Sequence, residues 1–160
     1  MDISYRIINK NDNVVLAKMI RGVFEEHDAP KTGTVYSDPT TDDLYTLFEK
    51  AGSVLWVAEN NGIPIGCCGI YPTPGLKNNY AELVKFYLDK DFRGKGIGMN
   101  LMKLSINSAK EMNYTYIYLE SLPIFSRALK LYENSGFKFI DHPLADSGHN
   151  SCHIWMLKKL

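Results

Sequence analysis

The chain has 160 residues, 45% of them apolar and 22% charged, a size and balance that suit one globular domain over residues 1–160 with a sizeable core. Eighteen basic residues offset eighteen acidic ones, so no overall field draws the chain to a polyanion and nucleic acid is excluded as the main partner. The first residues lack a basic stretch leading into an apolar one, and no apolar run nears the ~20 residues of a bilayer span. A cytoplasmic protein with no membrane partner is expected.

Residues 4–8 read as a first strand. A helix capped by Asn11 or Asn13 follows, because Leu16, Met19, Ile20, Val23 and Phe24 recur at the spacing of one apolar stripe. Residues 25–39, with two prolines and Gly33, form a long loop of the kind that carries function. Thr40 or Thr41 opens a second helix with Leu44, Leu47, Phe48 and Ala51 on one face and Gly52 as its stop. The period then changes. Residues 54–58 and 63–71 are strands joined across Asn61-Gly62, a pair suited to φ > 0 in a hairpin. Pro72, Pro74 and Gly75 break the chain before a central strand at residues 80–88. Leu101, Leu104 and Ser108 mark a third helix stopped at Asn113, residues 116–119 a strand parallel to the central one, and Ala128, Leu131, Tyr132 and Ser135 a short helix ended by Gly136. Strands at residues 137–140 and 152–157 follow, the last closing the sheet. The result is one mixed sheet flanked by helices, with antiparallel arms around a parallel centre.

Between the central strand and the third helix lies Asp91-Phe-Arg-Gly-Lys-Gly-Ile-Gly-Met-Asn100. Gly94, Gly96 and Gly98 present no Cβ to keep an anion from the N–H groups that open the helix, and Arg93 and Lys95 bring positive charge. A phosphate cradle is the expected role. The turn is not a P-loop, which needs G-x-x-x-x-G-K-[ST], and its G-x-G-x-G run departs from the dinucleotide G-x-G-x-x-G.

Arg93-Gly-Lys-Gly-Ile-Gly98 resembles the [RQ]-x-x-G-x-[GA] turn of the GNAT-type N-acetyltransferases, and Ala128-Leu-Lys-Leu-Tyr-Glu-Asn-Ser-Gly-Phe137 resembles that family's A-x-x-L-Y-E-x-x-G-F segment. The resemblance implies the GNAT fold, an α/β (α+β) architecture. Its sheet is single, mixed and mostly antiparallel, of about seven strands flanked by about four helices, with a parallel central pair. It also implies transfer of an acetyl group from acetyl-CoA to a primary amine, by direct attack and without a metal. The acceptor is a small molecule or peptide amine, and exposed strands suggest a homodimer. The alternative from another class is a non-catalytic acyl-CoA-binding sensor or scaffold.

Carried onto this chain, the resemblance places the coenzyme A pyrophosphate on Arg93, Gly94, Lys95, Gly96, Ile97, Gly98 and Met99, and the pantetheine arm on backbone near Phe86, Tyr87 and Leu88. Glu82, eleven residues before Arg93, is the candidate base that frees the amine of its proton, with a water chain as the alternative. Tyr132, in the L-Y-E segment, is the candidate acid that protonates the leaving thiolate. Where the family often places an asparagine beside the cofactor, this chain has Phe125, and Ser126 or backbone takes that contact.

Cys67, Cys68 and Cys152 read as reduced thiols; Cys67 and Cys68 face opposite sides of a strand, and none has a basic partner that would make it an acyl carrier. His142, His149, Cys152 and His153 fall in no metal-ligand spacing. The acceptor is expected to be chosen by residues 25–39, 71–79 and 141–150.

Overall fold

The computed structural model describes residues 1–160. Its elements are β1 (Ile3–Ile7), α1 (Asn13–Glu26), α2 (Leu44–Leu47), β2 (Val54–Asn60), β3 (Ile63–Tyr71), β4 (Tyr80–Leu88), α3 (Ile97–Glu111), β5 (Tyr116–Ser121), α4 (Ser126–Asn134), β6 (Lys138–Ile140) and β7 (Ile154–Lys159). The seven strands form one sheet in the order β1-β2-β3-β4-β5-β7-β6, antiparallel throughout except for the β4–β5 pair. The β2–β3 hairpin turns through Asn61 and Gly62, both with positive φ.

Each face of the sheet buries its own core. On one, α1 lays Leu16, Ile20 and Phe24 against Leu55, Val57 and Cys67. On the other, α3 lays Ile97, Leu101, Met102 and Ala109 against Ala58, Cys68, Ile70 and Leu83, and α4 adds Tyr132. Cys67 and Cys68 do face opposite cores, as strand alternation requires. Polar threads tie α3 to the sheet: Ser105 Oγ donates to the Cys68 carbonyl at 3.0 Å, and Trp56 Nε1 donates to Ser108 Oγ at 3.0 Å. At Gly69 an added Cβ would meet the Val54 carbonyl at 2.3 Å, so only glycine permits this approach of β2 and β3.

Three local expectations are corrected. The second helix is a 3-10 turn (Pro39–Asp42) and then the single turn α2, because Asp43 between them has φ −140° and caps the Thr46 N–H with its side chain; Ala51 is exposed. The first cap is Asn9, whose side chain accepts from the Asn11 N–H, while Asn13 begins α1 and bonds to Tyr45 and Asp43 instead. The last strand does not close the sheet: β7 inserts between β5 and β6, leaving the short β6 at the edge.

Two departures from regularity in β4 shape the site. Pairing with β5 ends early: Tyr80, Ala81 and Glu82 oppose Tyr116, Ile117 and Tyr118, after which β4 stays with β3 and β5 with β7. The second is a bulge against β3, where Val84 opposes Gly69 but Tyr87 opposes Cys67. Two residues, Lys85 and Phe86, therefore face the single Cys68, and Lys85 takes a φ of 55°. Alternation slips by one across the bulge. Val84 and Tyr87 both pack on the α1 side, while Leu83, Phe86 and Leu88 pack on the α3 side.

Candidate active site

Where β4 and β5 part, a cleft of about 460 Å³ opens, lined by β4 from Glu82 to Leu88, the end of β5, the glycine turn, α4 and the start of the α1 loop. At its turn end, Gly94 and Gly96 have φ of 75° and 80°, and an added Cβ on either would meet nothing within 4 Å. Gly98 is tighter, since a Cβ there would lie 3.3 Å from Phe86. Gly96 precedes α3 without any side-chain cap, so the first N–H groups of a 15-residue helix are left for an outside acceptor. A phosphate group fits this cradle.

The two cations of the turn are placed differently. Arg93 donates both terminal nitrogens to Glu26 at 2.7 and 2.9 Å and its Nε to the Leu88 carbonyl at 3.0 Å, clasping the turn to α1 and β4. Lys95 folds back on the Asp91 carbonyl at 2.9 Å and stays exposed. Ile97 is buried in the core and can offer only its backbone; Gly98 and Met99 line the cleft. Ser126 starts α4 at the cleft wall, and Phe125 packs edge-on to Phe24 with centroids 5.3 Å apart. Beyond Glu82, Phe86, Tyr87 and Leu88 run along the edge that β5 has left.

Glu82 is 5% exposed and accepts a short hydrogen bond from the Thr73 hydroxyl. Burial lifts its carboxyl from the usual 4.5 to about 8; Thr73 opposes the rise, Glu120 adds to it, and Lys85 opposes it. Glu120, on the cleft end of β5, accepts from the Tyr118 hydroxyl at 2.6 Å and from Ser147. Two carboxyls thus share the floor of the cleft, one on each splayed strand. Tyr132 projects from α4 between Phe86 and Phe137, each 5.8 Å away by ring centroid. Burial raises its pKa, so the phenol keeps its proton at neutral pH.

Some lining residues carried no recognisable sequence signal. Lys85 is buried in the cleft wall, and His149 joins Asp38 at 2.9 Å, linking two of the three loops assigned to acceptor choice. That His149 meets a residue 111 positions away is not readable from spacing. Buried Cys68 and half-buried Cys152 have thiols pushed up to about 12, and burial raises Cys67 further, so all three stay protonated and unreactive. No three His, Cys, Asp or Glu side chains converge as a metal site.

The sheet is opened at its one parallel pair, with an uncapped, glycine-lined helix start on one side of the opening and a buried carboxyl on the other. A model of the acetyltransferase (GNAT) family matches residues 20–137. The uncharacterized N-acetyltransferase YjgM of Escherichia coli (strain K12) is 35% identical over 156 residues, covering 97% of this chain and 93% of that protein. Human N-acetyltransferase 8B is 27% identical over 72% of this chain, which spans 48% of that longer protein. Among solved structures, an acetyltransferase of the GNAT family from Staphylococcus aureus Mu50 superposes with a TM-score of 0.87 at 25% identity over 99% of both chains. PaiA N-acetyltransferase from Thermoplasma acidophilum, solved in complex with coenzyme A, gives a TM-score of 0.78 at 20% identity over all of both chains. The chain belongs to the acetyltransferase (GNAT) family, and acetyl transfer is its activity.

Proposed function

We propose that this protein moves the acetyl group of acetyl-CoA onto a primary amine held beside Glu82, with Glu82 as base and Tyr132 as acid. The observation that carries the reading is the cleft itself. One opening in the sheet joins an anion cradle at residues 93–99 to a buried, high-pKa carboxyl on β4, the strand that precedes it.

Acetyl-CoA supplies an acyl group already activated as a thioester. The N–H groups at the start of α3 and at Gly94 and Gly96 take its pyrophosphate, favoured by the positive end of the helix dipole. The backbone of β4 beyond Glu82, unpaired on the β5 side, receives the pantetheine arm as an added strand and offers N–H groups for the charge that develops on the carbonyl oxygen. Arg93 works at one remove, fixing the turn through Glu26 and the Leu88 carbonyl.

Glu82 sits where an ammonium would first lose its proton, and its raised pKa brings it close to the acceptor's own. Thr73 and Glu120 tune that value from either side. On the opposite wall, Tyr132 holds a proton for the departing sulfur. Neither role requires a covalent enzyme intermediate, and the protonated cysteines supply no nucleophile. Calorimetry with coenzyme A, and thiol release from acetyl-CoA with a panel of amines, test the proposal. Micromolar binding with amine-dependent release is expected; binding without release from any amine would leave a sensor or scaffold role in its place.

A further inference from the structure

The cleft contains a cation that acetyl transfer as derived above does not use. Regular alternation would send Lys85 to the α3 face with Leu83. The β4 bulge instead keeps it on the α1 side with Val84, beside Asp38, Glu82 and Cys67, at the cost of a φ of 55°. Lys85 is 7% exposed and lines the cleft. Its side chain enters none of the protein's ion pairs, while its carbonyl accepts from the Cys67 thiol at 3.1 Å.

The acids near it are otherwise engaged. Asp38 accepts from His149 at 2.9 Å and from the Thr40 N–H and hydroxyl at 2.9 and 2.7 Å. Glu82 is held by Thr73 and is largely protonated at neutral pH, and Glu120 is held by Tyr118 and Ser147. Burial lowers the Lys85 pKa, while Asp38, Glu82 and Cys67 oppose that lowering without pairing with it. Lys85 thus reaches the cleft without a protein partner, and a strained backbone that aims a lysine into a cleft is expected to have a ligand.

We propose that Lys85 binds an anionic group of the acceptor, so that the substrate is a zwitterion whose amine faces Glu82 and Glu120 and whose carboxylate faces Lys85. The inference rests on the reading of this cleft as the acceptor site. Glu82 and Lys85 are three positions apart on one strand face, within about 10 Å, so the amine and the anion are separated by only a few bonds, as in a small amino acid. A free peptide backbone with no nearby anion would leave Lys85 unpaired.

Three sets of probes decide the matter in the thiol-release assay: small amino acids, their methyl esters, and the corresponding amines without the carboxyl group. The amino acids are expected to exceed both other sets in kcat/KM by tenfold or more. Lys85→Gln, which keeps a non-glycine residue at this φ, should cut that preference by about ten- to a hundredfold, mainly through KM, and Lys85→Arg should restore part of it. As a check independent of folding, a short carboxylate lacking an amine should inhibit the unsubstituted enzyme competitively against the acceptor and not against acetyl-CoA. Esters or plain amines used as well as amino acids, or a preference untouched by Lys85→Gln in a variant that still binds coenzyme A, would overturn the inference and leave acetyl transfer standing. If no probe in any set is acetylated, the acetyl-transfer mechanism falls first and this inference with it.

Discussion

Glu82→Gln keeps the volume of the side chain and a group to accept from Thr73, but cannot take a proton. Burial, the largest cause, and Glu120 raise the native carboxyl to about 8, against the pull of Thr73 and Lys85. As a base it is roughly one-tenth ionised at pH 7, so kcat/KM should climb about tenfold per pH unit and level off above about 8. Thiol release measured from about pH 6 to about pH 10 is expected to fall by about 10²- to 10⁴-fold in the variant, with that limb erased. The acceptor's ammonium titrates with both enzymes, so the difference between the two profiles carries the result. A variant within about threefold of the unsubstituted enzyme, with the same limb, would refute the assignment and favour a water chain as base.

The same carboxyl links stability to pH. Its pKa is 4.5 when unfolded and about 8 when folded, so the native state holds more protons between those values and loses stability as pH rises through them. The interval corresponds to roughly 5 kcal/mol, fully present as stabilisation below about 4.5 and absent above about 8. Glu82→Gln should flatten the slope in denaturant titrations at the two ends of the window.

Tyr132→Phe should lower kcat by about 10²-fold while leaving coenzyme A affinity by calorimetry near its original value; an unchanged kcat would return Tyr132 to a packing role. A Cβ at Gly96 meets no atom within 4 Å, yet Gly96→Val must hold φ at 80°, a strain of roughly 1–3 kcal/mol, so coenzyme A affinity should drop about tenfold or more with the core intact. Thr73→Val removes a hydrogen bond to the Glu82 carboxylate and should move the pH–rate limb to higher pH, whereas Glu120→Gln should move it lower. Arg93→Ala frees Glu26 and the Leu88 carbonyl, and is expected to weaken coenzyme A binding through a looser turn, read as a higher Kd with little change in kcat.

Much of this protein is written in local chemistry. Apolar stripes at helical spacing give α1 and α3, Asn61-Gly62 gives the hairpin, Asn113 and Gly136 end their helices in left-handed turns, and three alternating glycines after a strand place an anion at a helix start. Each depends on residues within a few positions of one another, which is why the turn could be named from the sequence, whereas Glu82 and Tyr132 were named by the family resemblance. Packing decided the rest. Whether an acidic side chain ionises at 4.5 or near 8 depends on the elements that bury it, and Arg93 meets Glu26 across 67 positions. Strand alternation assigns Lys85 to the wrong face; the extra residue that reverses it exists only where β4 must pair with β3 in two registers at once. The sequence by itself therefore determined the fold class and the glycine turn at residues 93–99. Only the tertiary structure decided the raised pKa of Glu82 and which lysine lines the cleft, because both follow from what surrounds a side chain rather than from what precedes it.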